Sequence, residues 1–245
     1  DIVKYLVENG AEVNKVDKWG ETELHIAASV GHVDVVKCLV ENGAEVNAVD
    51  KYCQTVLRMA ASAGHVDIVK YLVENGAEVN KVDKWGETEL HIAASVGHVD
   101  VVKCLVENGA EVNAVDKSGE TALHIAASAG HVDVVKCLLE NGAEVNAVDN
   151  FGQAGLRMAA SAGHVDVVKC LVENGAERNA VDKYGKTALH VAAERGRVDV
   201  AKFLVESGAQ LDAKDKNGKV PFDLARDEKV VNYLKDEHAK DKISK

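Results

Sequence analysis

The chain has 245 residues, with Lys+Arg 29 against Asp+Glu 40 and a formal net charge of −11; such a surface repels phosphate backbones and argues against nucleic acid as a partner. Hydrophobic residues make up 47% of it and aromatics only 4%, so Ala and Val carry the apolar load and close helix packing on small side chains is expected. No run of about 18 apolar residues occurs, so no membrane-spanning helix is expected, and the opening DIVKYLVENG reads as an amphipathic helix rather than a signal peptide.

Taken in chain order, the sequence is periodic. Residues 1–50 recur unchanged as residues 67–116, two periods of 33 residues apart. Aligned on the motif D-x-x-G, repeats begin at Asp17, Asp50, Asp83, Asp116, Asp149, Asp182 and Asp215. Residues 1–16 are the second half of a repeat, 17–214 hold six full repeats, and 215–245 read as a C-terminal cap with polar residues on its outer face. No linker interrupts the array, so a single domain over 1–245 is expected.

The repeat Asp83 to Val115 shows how the parts are specified. Thr88 is placed as a helix N-cap, and Leu90, Ile92, Ala93 and Ala94 form the apolar side of a short first helix ending near Gly97. His98-Val99-Asp100 opens a second helix, where Val101, Val102, Cys104, Leu105 and Val106 give an apolar face and Asp100 favours the helix dipole. Gly109 is the stop, suited to positive φ, and the chain then runs to a hairpin tipped by Lys117-Ser118-Gly119. Helices this short are marginal alone and need stacking.

Cys38, Cys104, Cys137 and Cys170 share one repeat position, which Tyr5, Tyr71 and Phe203 fill elsewhere; the slot reads as apolar packing. Copies one helix layer apart lie roughly 8–10 Å from each other, beyond the about 7 Å that a disulfide spans, so reduced thiols and a cytoplasmic setting are expected. No C-x-x-C or H-x-x-x-H spacing offers a metal site. Glycines stand singly at turns and stops, not in a phosphate-binding order, so no cofactor is expected. Cys53 replaces the hairpin glycine and is expected to be exposed.

The recurring T-x-L-H-x-A-A…G-H-V-D-V-V-K…V-E-N-G-A-E-V-N resembles the ankyrin-repeat family along nearly the whole chain. The resemblance implies an all-α ankyrin-repeat solenoid of stacked helix-turn-helix units. Its β-hairpin loops would project to one side and form a concave surface with the first helices. It also implies protein–protein recognition without catalysis. The family's T-P-L-H box stands here without proline as Thr22-Glu23-Leu24-His25, Thr88-Glu89-Leu90-His91, Thr121-Ala122-Leu123-His124 and Thr187-Ala188-Leu189-His190. In the family the box histidine bridges adjacent loops, which His25, His91, His124 and His190 match. Asn14, Asn47, Asn80, Asn113 and Asn146 match positions that asparaginyl hydroxylases modify in some members, although hydrogen bonding between loops is the role expected here. The near-identity of the copies resembles a recent duplication or an engineered, consensus-type scaffold.

Two repeats depart from the box in one way. Thr55-Val56-Leu57-Arg58-Met59 and Ala154-Gly155-Leu156-Arg157-Met158 carry Arg-Met for His-Ile, and arginine cannot accept a hydrogen bond as histidine does. They read as diverged or engineered repeats, or as arginines reaching the surface to pair with acids such as Glu23 or Glu89. The hairpin-tip position reads Trp19, Tyr52, Trp85, Ser118, Phe151, Tyr184 and Asn217, which concentrates scarce aromatics on the expected binding edge. Glu21, Glu23, Gln54, Glu87, Glu89 and Glu120 flank them, then Lys186, Glu194 and Arg195. The candidate partner-binding set is therefore Trp19, Tyr52, Trp85, Phe151, Tyr184, Glu21, Glu23, Gln54, Glu87 and Glu89, on a monomer that binds a protein. Two alternatives stand beside it: a structural array with no natural partner, and an engineered cysteine-dependent catalyst at Cys53.

Overall fold

Each 33-residue period folds as two short helices joined by a glycine. The computed structural model describes residues 5–7 and 9–243 and divides into two compact units, Asp1–Lys117 and Ser118–Lys245, with residues 5–7 helical near the start of the first. The first unit holds α1 (Glu23–Val30), α2 (Val33–Glu41), α3 (Val56–Ala63), α4 (Val66–Glu74), α5 (Glu89–Val96) and α6 (Val99–Glu107). The second holds α7 (Ala122–Ala129), α8 (Val132–Glu140), α9 (Gly155–Ala162), α10 (Val165–Glu173), α11 (Ala188–Glu194), α12 (Val198–Glu206), α13 (Pro221–Leu224) and α14 (Glu228–Ile243).

Helices of 8 or 9 residues gain too few internal bonds to offset nucleation, so like stacks on like. In the first unit α1 packs on α3 and α3 on α5, while α2 packs on α4 and α4 on α6. In the second, α7, α9 and α11 stack in one row, α8, α10 and α12 in the other, and α13 and α14 close the row ends. The first helices bury a Leu and an Ala pair, such as Leu57, Ala60 and Ala61, whose small side chains let helix axes approach. The second helices bury Val, Cys and Leu, such as Val101, Val102, Cys104 and Leu105. Ile92 and Val106, expected inside with them, are only half-buried. The four repeat-position cysteines are buried free thiols. Rings in that slot ride outward instead: Tyr71 and Phe203 are half-buried and Tyr5 is exposed, so the slot is a small-residue site with a solvent edge.

Thr22 starts α1 as its N-cap, and Gly31 ends it at φ 87°. A Cβ on Gly31 would lie 2.6 Å from the His65 ring, so both the left-handed φ and the close approach demand glycine there. The loops before the first helices are narrower than hairpins with paired strands. Asp17 N–H bonds to Glu21 O (2.9 Å), and Asp17 Oδ1 accepts the Trp19 and Glu21 amides at 2.7 and 3.0 Å. Antiparallel pairing among the described residues is limited to single bridges, Val49 with Thr55 and Val148 with Ala154. Both fall in the Arg-Met repeats.

Successive tips of the first unit are tied through their backbones, with Lys51 N–H donating to Trp19 O and Lys117 N–H to Trp85 O, each at 3.0 Å. The tip glycines make room for this: a Cβ on Gly20 or Gly86 would lie 3.0 or 3.1 Å from the amide nitrogen of the next loop. Cys53 does carry a Cβ, and it is the sole non-glycine residue at positive φ (61°) among the described residues. The equivalent bond from Lys84 N–H to Tyr52 O is absent from the bonds those residues form. A left-handed non-glycine residue costs about 1–2 kcal/mol. Cys53→Gly is therefore expected to stabilise the chain by about 1 kcal/mol, read as a higher urea midpoint; an unchanged or lower midpoint contradicts the strain.

Candidate partner-binding face

The Asp-anchored turns that close each loop leave the residue two places after the aspartate at the tip, with its amide bound and its side chain outside. Trp19, Tyr52 and Trp85 are 49%, 41% and 49% exposed in the first unit. The Lys84 ammonium lies over both the Tyr52 and Trp85 rings, 4.5 and 4.1 Å from their centroids, and Lys18 lies 4.8 Å over Trp19. Exposed cation–π contacts of this kind are worth about 0.5–1 kcal/mol. They hold the rings as ordered, solvent-facing surfaces. In the second unit Phe151 and Tyr184 are exposed likewise.

The flanking polar residues of the first unit divide by depth. Glu23 is exposed, and Glu21, Gln54 and Glu87 are half-buried. Gln54 donates both its amide and its Nε2 to Asp50. Glu89, expected on the same exposed face, is instead buried at 2% exposure, and its Oε1 accepts the Thr55 hydroxyl at 2.7 Å. Glu23 and Glu89 occupy matching places in the duplicated 50 residues. Glu89 is covered by α3, which packs on α5 and whose capping Thr55 reaches the carboxyl. Burial pushes the Glu89 carboxyl up to about 7, against the Thr55 bond and the Arg58 charge, which favour the ionised form.

Thr55 is free to donate because its repeat lacks the box histidine. Where the histidine is present, its Nδ1 accepts the N–H of the capping threonine, at 3.2 Å in His25 and 3.1 Å in His190. That fixes the proton on Nε2, which donates to the next loop: His124 to Gln153 O at 3.0 Å and His190 to Lys219 O at 3.1 Å. Burial holds His25 and His190 below the ordinary imidazole range, as this neutral tautomer requires. The arginines do not reach out to Glu23 or Glu89. Arg58 is itself buried and contacts Asp83 Oδ2 at 3.0 Å and Glu87 Oε2 at 3.1 Å in the following loop. Arg157 contacts Asp182 Oδ2 at 2.9 Å and the Gln153 side chain. Each arginine thus replaces the histidine's bond to the next loop by an ion pair with that loop's turn aspartate.

The sequence reading missed a second set of joints. His65, His98 and His164 leave their helix starts uncapped and place Nε2 3.2, 3.1 and 3.1 Å from Ser29 O, Ser62 O and Ser128 O, the last turn of the preceding repeat's first helix. Arg197 does the same with Nε to Ser161 O at 3.0 Å. The G-H pair recurring after each first helix was the available signal. The asparagines bridge loops: Asn47 donates Nδ2 to Gly76 O (2.9 Å) and accepts the Glu78 amide (2.9 Å). Cys53 is exposed beside the Tyr52 tip. No cluster of His, Cys, Asp and Glu suited to a metal ion occurs among the described residues, and no described helix is long and apolar enough to cross a membrane.

A family signature for ankyrin repeats (three copies) matches residues 1–83, 76–149 and 147–215, and the chain belongs to that family. Among solved structures it is similar to the human ASB11 ankyrin repeat domain, at 32% identity and TM-score 0.83, covering 89% of this chain and 98% of that one. It is also similar to the ankyrin repeat domain of Bcl-3, described as a unique member of the IkappaB protein family, at 30% identity and TM-score 0.77, covering 89% of this chain and all of that one. No curated protein matches it in sequence.

The buried Glu89 carboxyl makes stability depend on pH in a defined sense. Its folded value of about 7 lies above the ordinary 4.5, so the protonated form favours folding. That contribution is complete below about pH 4.5 and is lost as pH rises through about 7. Above that, the folded state carries a buried charge costing on the order of 3 kcal/mol. Glu89→Gln is expected to raise the urea midpoint at pH 8 and to flatten its fall between pH 5 and 8, while Glu23→Gln changes neither. Equal midpoints for wild type and Glu89→Gln at pH 8 contradict the assignment.

Proposed function

We propose that the chain is a non-catalytic recognition scaffold that binds a protein partner through its hairpin tips and the adjoining first-helix ends. The observation that supports this most is the run of ordered, half-exposed rings at Trp19, Tyr52 and Trp85. A loop tip selected only for stability has little reason to hold large rings in water, whereas Trp and Tyr anchor interfaces with large area at small entropic cost. Glu21 and Glu23 beside them favour a partner with basic groups facing the tips of this unit. In the second unit Phe151 and Tyr184 offer the same kind of anchor.

The repeat core takes no part in this. Its histidines, asparagines and turn aspartates are committed to bonds within the stack, so the positions that vary between repeats are those left for a partner. A catalytic use of Cys53 is less favoured, since its own repeat has Arg58 in place of the box histidine, and that arginine is held by Asp83 and Glu87.

Trp19→Ala/Trp85→Ala is expected to lose capture of specific prey from a cell lysate while the melting temperature falls by no more than about 8 °C, the loss of two exposed cation–π contacts, and the fold persists. Loss of stability with unchanged capture contradicts the interface. Absence of any specific prey for the wild type favours the structural-array reading.

A further inference from the structure

The second unit differs from the first in the charge it presents beside its tips. A cavity of about 550 Å³ opens between Tyr184, Lys186, Glu194, Arg195 and Arg157. A second, of about 500 Å³, shares Arg157 and Arg195 and adds Arg197. The repeat that supplies these residues departs from every other full repeat. Arg195 stands where they have Val or Ala, as at Val30 and Ala162, and Arg197 where they have His, as at His164. Lys186 stands where they have Glu or Gln, as at Glu21 and Gln153. Three cations thus enter one place in a chain whose net charge is −11.

Two of the four cations lining these cavities are already matched. Lys186 Nζ pairs with Glu194 at 2.6 Å, and Arg157 with Asp182 at 2.9 Å. The other acids there are also engaged, Asp149 Oδ1 by the Phe151 and Gln153 amides and Glu120 by contacts of its own. Arg195 and Arg197 are exposed and form no ion pair within 4 Å among the described residues, and Arg195 adds only its more distant charge to that of Lys186 in holding the Glu194 carboxyl below its ordinary range. Arg197 gives only Nε to Ser161 O, which leaves its terminal N–H groups for a ligand. A guanidinium fork matches a carboxylate in two parallel charge-assisted bonds.

Building on the recognition reading, we propose that these two cavities, which share Arg157 and Arg195, together take an acidic peptide segment, with carboxylates on Arg195 and Arg197 and a neighbouring side chain against the exposed Tyr184 ring. A peptide suits the place better than a nucleic acid. Carboxylates on flexible side chains can enter singly beside Glu120 and Glu194 while the rest of an acidic segment stays in solvent, whereas phosphates fixed in the backbone of a nucleic acid meet the repulsion of the acidic molecule together.

The test uses the full chain and a fluorescein-labelled hexaglutamate amide, read by fluorescence anisotropy, with hexalysine and an oligo-dT of matched charge as comparisons. Arg195→Ala/Arg197→His gives this repeat the residues that the preceding repeat has at both positions, including the histidine that makes the Ser carbonyl joint, so folding is expected to survive and is checked by circular dichroism. Hexaglutamate is expected to bind the wild type, about tenfold or more weaker to the double variant, and unchanged to Trp19→Ala/Trp85→Ala. No binding, equal binding by the double variant, or tighter binding of oligo-dT overturns the proposal. If hexaglutamate fails while Trp19 and Trp85 still govern prey capture, only the acidic-segment assignment falls; if tryptophan dependence fails as well, the recognition reading falls with it.

Discussion

Everything in this fold depends on one requirement: a helix of 8 or 9 residues cannot satisfy its own ends and must hand polar groups to the next repeat. The box imidazole meets that requirement from two sides. Its Nδ1 accepts from the capping threonine's amide, which closes the helix start, and its Nε2 donates to a carbonyl in the following loop. A single neutral ring therefore links local capping to stacking. A protonated ring could not do both, since it has no acceptor, and burial keeps the proton off.

The Arg-Met repeats show how far this joint can change chemically. Arginine gives up the reciprocal half of the cap, because it has nothing to accept with, although Thr55 Oγ1 still accepts the Arg58 amide at 3.0 Å, and it keeps the link by reaching the turn aspartate of the next loop. That aspartate already holds two loop amides through its other oxygen. The ion pair is thus grafted onto a preorganised carboxylate, where the desolvation penalty of a buried pair is partly met by existing bonds. The freed threonine hydroxyl then finds Glu89. In the Arg58 repeat the contacts to Asp83 and Glu87 and the Thr55–Glu89 bond stand together.

Much of this was legible from residue spacing. Period, helix starts, glycine stops and the buried Leu and Ala faces follow from the pattern of apolar and turn residues, and the exposed aromatic tips follow from the turn that displays them. Spacing within one repeat was silent about bonds between repeats. The reach of His65 back to Ser29 and of Arg58 forward to Asp83 span 36 and 25 positions; the recurring G-H pair marks where the first starts, but nothing local gives either partner. Tyr5 and Ile92 were misjudged for a related reason: a repeat position names a slot, but the volume and cover of that slot are set by the neighbouring layer.

Glu23 and Glu89 carry that point to its consequence. Fifty unchanged residues place them in the same local structure, with the same helix, cap and turn, and still Glu23 is exposed while Glu89 is a buried acid whose carboxyl is pushed up to about 7. The chemistry of such a residue belongs to the junction between two repeats and not to the repeat that encodes it. Thr55, in the repeat before α5, thus supplies the polar contact of an acid that the next repeat encodes.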